Sequence, residues 1–93
     1  MLTHVVCLKF PDPEDAPEVA RRLSAMEGRI PSMRGIEVGL DVVRSGRSYD
    51  LVLITRHDDL AGMESYQVHP VHQDVLAFIK SKAPASVAVD FET

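Results

Sequence analysis

The segment LTHVVCLKF, residues 2–10, carries apolar side chains on both of its alternating faces. Leu2, Val6, Leu8 and Phe10 share one parity with His4, while Val5 and Cys7 share the other with Thr3 and Lys9. A strand that reads this way is buried front and back. Val52 and Ile54 in YDLVLITRH (49–57), and Val87 and Val89 in SVAVDFE (86–92), extend the same property to two more strands. The chain must therefore build a sheet that needs a second layer on each side.

The segments between the strands supply one of those layers. PDPEDAP (11–17) breaks the first strand and offers acids suited to a first helical turn. Val19, Leu23, Met26 and Ile30 then recur at helical spacing and predict an amphipathic helix ending near Gly28–Pro31. GIEVGLDVV (35–43) and YDLVLITRH (49–57) read as strands joined through the turn signal RSGRS (44–48), which makes them antiparallel neighbours. DDLAGMESYQ (58–67) predicts a short helix with an Asp cap and with Leu60 and Met63 facing inward. Pro70 suits the first position of another helix, along which Val71, Val75, Phe78, Ile79 and Lys82 keep helical spacing until Pro84. SVAVDFE (86–92) is the last strand.

The order is β-α-β-β-α-β with the second helix split, the ferredoxin-like α+β pattern of an antiparallel sheet with helices on one face. Ninety-three residues make a single domain, 1–93. Its helices cover one face only, so a second copy packed on the other face is the simplest remaining layer.

Ten basic residues against fourteen acidic ones give a formal net charge of −4 with no basic run, which argues against nucleic acid or an anionic membrane as partner. No apolar window is long enough to span a bilayer and the N-terminus has no signal-peptide layout, so a cytoplasmic location is expected. The one cysteine, Cys7, forms no internal disulfide framework and is read as a small buried hydrophobe. Met26, Met33 and Met63 are read as core or pocket filler, and Asp50, Asp58 and Asp59 as turn and cap residues.

The ordered set HVVCLKF (4–10), IPSM (30–33), GLDV (39–42), SYDLVL (48–53) and YQVHPVH (66–72) resembles the stress-responsive A/B-barrel (Dabb) family from end to end. The resemblance implies a ferredoxin-like protomer that dimerises sheet to sheet into an α+β barrel. A plant cyclase of polyketide metabolism, similar in pattern, closes a poly-β-keto thioester by aldol condensation with one tyrosine and two histidines. By position those residues correspond to Tyr66, His4 and His72. The chain departs from many members at His57, where an aromatic usually ends the third strand.

The chemistry of these groups is coherent. An aldol closure needs a base for an acidic proton between two carbonyls and a donor for the developing alkoxide. Histidine titrates near neutrality and tyrosine is a donor there. This gives His72 as base, Tyr66 as donor and orienter, and His4 as supporting donor, with His69, Met63, Leu23 and Phe78 expected around the ligand. His69 precedes a proline and is equally readable as a helix cap. His69 and His72 lack a third ligand at metal-binding spacing, so no metal is expected, and no cofactor is called for. Three functions stay open: acid–base chemistry on a β-keto or phenolic compound (a small aromatic or polyketide-like ligand), a non-enzymatic stress-associated assembly protein, and cofactor-free monooxygenation, the last by fold analogy alone.

Overall fold

In a computed structural model describing residues 1–93, the first apolar run forms β1 (Leu2–Lys9) and takes an interior place in a four-stranded sheet. β1 pairs antiparallel with β3 (Leu51–His57) on one side and with β4 (Ala85–Glu92) on the other. β2 (Gly35–Leu40) pairs antiparallel with β3, giving the order β2-β3-β1-β4. The register sets Leu2, His4, Val6 and Leu8 opposite His57, Thr55, Leu53 and Leu51. By strand alternation these eight side chains share the face that the helices cover.

A single turn of 3-10 helix, Pro13–Asp15, is capped by Asp12, whose carboxylate accepts from the Glu14 N–H at 3.0 Å. It leads into α1 (Ala16–Ser24). Val19, Leu23, Met26 and Ile30 are at most 2% exposed, and each such side chain stabilises the fold by about 1.5–3 kcal/mol relative to exposure. The regular helix nevertheless stops at Ser24, short of the expected Gly28–Pro31. Met26 and Ile30 reach the core from the turns beyond it, where Gly28 holds a left-handed φ of +77° that a Cβ would strain.

The second helical region is two helices, α2 (Leu60–Val68) and α3 (Pro70–Ser81), broken at His69. Asp59 caps α2 by accepting from the Gly62 N–H at 2.9 Å. Leu60 is 53% exposed rather than inward-facing; the buried stripe of α2 starts at Met63 and continues to Tyr66.

The hairpin between β2 and β3 is longer than the sequence suggests: pairing ends at Leu40 and resumes at Leu51 instead of running through Val43 and Tyr49. Side chains hold the backbone of the connection instead, Asp41 accepting from the Arg44 N–H at 2.7 Å and Ser48 Oγ from the Ser45 N–H at 3.2 Å. Asp50 is no surface turn residue. It is 3% exposed, and its carboxylate accepts from the Phe10 N–H and from Arg44, both at 2.7 Å. Those two donors hold it below the usual carboxylate range. Asp58 likewise serves no cap and pairs instead with Arg34 at 2.9 Å.

The opposite sheet face has no cover. Val5, Cys7, Val52 and Ile54 are only partly buried, and Val87, Val89 and Phe91 stand 50%, 63% and 45% exposed. No helix is long and apolar enough to cross a membrane.

Candidate functional site

Between the β1–β4 half of the sheet and the α2–α3 pair lies a cleft of about 610 Å³. β4 is an edge strand exposed along its whole length, so the cleft is open on that side. His4, Val6 and Leu8 project from the sheet, Tyr66 from α2, and His72, Leu76 and Ile79 from α3. The alternation of β1 puts His4 on the helix-facing side, and the break at His69–Pro70 turns Tyr66 and His72 toward one another.

Tyr66 is the hub. Its ring centroid lies 4.4 Å from that of His72, 5.0 Å from His57 and 6.3 Å from His4. The residue is fully buried, and its hydroxyl has no hydrogen-bond partner within the protein. Burial pushes the phenol pKa up to about 12, so the group is a neutral donor at physiological pH. A buried polar atom without a partner costs about 1–3 kcal/mol.

The histidines are differently held. His72 Nδ1 lies 2.9 Å from the Gln67 carbonyl oxygen, which only accepts, so Nδ1 carries the hydrogen and Nε2 keeps its lone pair. Burial lowers the His72 pKa against the opposing pull of that hydrogen bond. His4 donates from Nδ1 to the Asp90 carboxylate, which sits opposite it across the β1–β4 pair and fixes the ring. His57 is fully buried; Nδ1 donates to the Ser32 carbonyl oxygen and Nε2 accepts from the Thr55 hydroxyl, both at 3.0 Å. Burial lowers its pKa as well.

The structure thus brings His4, Tyr66 and His72 together and leaves the four expected flanking residues outside the cleft. His69 caps α3, its Nδ1 accepting from the Val71 N–H at 3.1 Å. Leu23 and Met63 are consumed by packing, at 1% and 7% exposure. Phe78 faces the other side of α3, beneath Arg22. The histidine and carboxylate groups form no cluster of three that holds a metal ion. Sequence reasoning missed Asp90 and the seat of His57. The strand register reveals the first, because antiparallel pairing of β1 with β4 is what sets Asp90 against His4.

The family model described as Stress Responsive A/B Barrel Domain matches residues 2–93. No curated protein matches the chain. Among solved structures, a dimeric ferredoxin-like protein of unknown function from Thermobifida fusca is similar with TM-score 0.86 and 27% identity, over 99% of this chain and 90% of that one. A dimeric protein of unknown function and ferredoxin-like fold from Bacteroides fragilis gives TM-score 0.84 and 25% identity, over 99% and 95%. SnoaB, a cofactor-independent oxygenase from Streptomyces nogalater, shares the fold alone, with TM-score 0.74 and 15% identity over 99% and 91%.

Proposed function

We propose, for a chain that belongs to the stress responsive A/B barrel domain family, that the cleft binds a small β-keto or phenolic compound and moves protons on it. The carrying observation is the buried, unpartnered hydroxyl of Tyr66, whose ring packs among the imidazoles of His72, His57 and His4. A ligand carbonyl would supply the acceptor that the hydroxyl lacks.

In this reading His72 Nε2 takes the proton between two carbonyls, and the electron pair moves onto the carbonyl oxygen as an enolate. Tyr66 donates a hydrogen bond to that oxygen, and His4, as the imidazolium ion-paired through Nδ1 with Asp90, adds a second donor through Nε2. The proton returns from His72 to carbon, or to the oxygen formed when the enolate attacks another carbonyl of the same chain. Neither step draws on an oxidant or a reductant.

The same reading includes a homodimer closed through the uncovered sheet faces. The apolar stripe of Val5, Ile54, Val87 and Val89 supports it, as do the dimeric relatives from Thermobifida fusca and Bacteroides fragilis. A second reading, cofactor-free monooxygenation of an aromatic, rests on the fold shared with SnoaB.

The test is a thermal-shift screen of wild type, His72→Ala and Tyr66→Phe against β-keto acids, phenols and flavonoid-like compounds. Stabilisation of the wild type that both substitutions abolish is expected. Uniform silence across the panel favours an assembly role. Oxygen consumption with a phenolic hit favours the second reading.

A further inference from the structure

The cleft has two chemically distinct ends. α3 presents His72, Leu76, Ile79 and Lys80 to it. At a rise of about 1.5 Å per residue, His72 and Lys80 stand about 12 Å apart along the helix axis. The opposite wall keeps pace: His4 to Leu8 on β1 covers about 14 Å at about 3.4 Å per residue, and Leu8 pairs with Ser86, which lines the far end beside Lys80. Between the ends the walls are apolar, with Val6, Leu53, Leu76 and Ile79.

Charge distinguishes the ends. Lys80 is the one lysine or arginine lining the cleft, and no aspartate or glutamate lines it. Lys80 also forms no ion pair, whereas its neighbour Lys82 lies 3.8 Å from Asp15 and sits over Phe78 on the other side of α3. At the opposite end the Asp90 carboxylate backs His4. An anionic group is attracted at Lys80, where no lining carboxylate competes for the ammonium.

We propose that the ligand is two-headed, with a carbonyl head at Tyr66 and His72, an anionic head such as a carboxylate at Lys80, and an apolar body spanning the distance between them. This rests on the acid–base reading of the cleft and adds the class and orientation of its substrate. Lys80 determines specificity; it touches no reacting atom. Its place in the last turn of α3 also suits the helix dipole, but a purely dipolar role makes no distinction between ligands.

The experiment uses calorimetric titration of the full chain with a linear β-diketone bearing a carboxylate at the end of a saturated chain cut to this span, and with its methyl ester. The acid should bind about five-fold more tightly than the ester, as for an exposed ion pair, and the gap should narrow as salt rises. Lys80→Gln should remove the preference while leaving ester affinity alone, and Lys80→Glu should reverse it. Equal binding of acid and ester to wild type, or a preference that survives Lys80→Gln, overturns the two-headed ligand and leaves the acid–base reading standing. Failure of both probes to bind overturns both.

Discussion

The Nδ1–H of His72 donates to the carbonyl of Gln67 across the junction between α2 and α3. The bond exists because Pro70 cannot continue α2, so the chain turns at His69 and the last carbonyls of one helix face the first turn of the next. It fixes the His72 tautomer and leaves Nε2 as the acceptor, beside a phenol with no acceptor of its own.

Tyr66→Phe deletes a hydroxyl that is desolvated and unpaired, and keeps the ring that packs the core. The melting temperature should stay level or rise, since the desolvation penalty of about 1–3 kcal/mol disappears, while ligand-induced stabilisation is lost. Calorimetry with and without a β-keto ligand checks both. A clear drop in the melting temperature would show that the hydroxyl has a structural partner.

His57→Phe should destabilise the fold by about 1–3 kcal/mol, because it strips a partner from the buried Thr55 hydroxyl and from the Ser32 carbonyl. Urea denaturation measures this. It should also weaken ligand binding through Tyr66, whose ring packs at 5.0 Å from the imidazole.

Both the buried His57 and the half-buried His72 have folded-state pKa values below the ordinary histidine value. Above about pH 6.5 the folded and unfolded chains both hold them neutral, and their contribution to stability is complete. As pH falls below that, the unfolded chain takes up protons that the folded one refuses, so stability declines with falling pH. Turnover should lose its base on the same acidic side as His72 protonates, and Tyr66, near 12, contributes no alkaline limb at ordinary assay pH. Melting curves and initial rates from pH 5 to 9 check the signs.

Ile54→Lys places a charge in the uncovered face of the sheet, beside Val5. Sedimentation should find wild type dimeric and the variant shifted to monomer, with the helix-covered core intact by circular dichroism. Wild type sedimenting as a monomer at all concentrations would remove the dimer from the proposal.

Much of this was legible in the chain. The two-sided apolar pattern of LTHVVCLKF gives a sheet needing two covers, and Pro70 marks the break that orients His72. What stayed hidden depends on long-range register and competition. Asp90 lies 86 residues from His4, and only strand pairing joins them. Asp50 looks like any turn acid until the Phe10 N–H and Arg44 close on it. Leu23, Met63 and Phe78 carry no sign in their spacing of whether they meet a ligand or the core.

Exchange of the acidic α-protons of a β-diketone in deuterated buffer, followed by proton NMR, measures proton transfer in the cleft with no assumption about later steps. Wild type should accelerate exchange above the buffer rate, with His72→Ala losing the acceleration by about 10²–10⁴-fold and Tyr66→Phe losing a large part of it. Exchange no faster than in buffer, or an unchanged rate in His72→Ala, would mean that this imidazole is not a base.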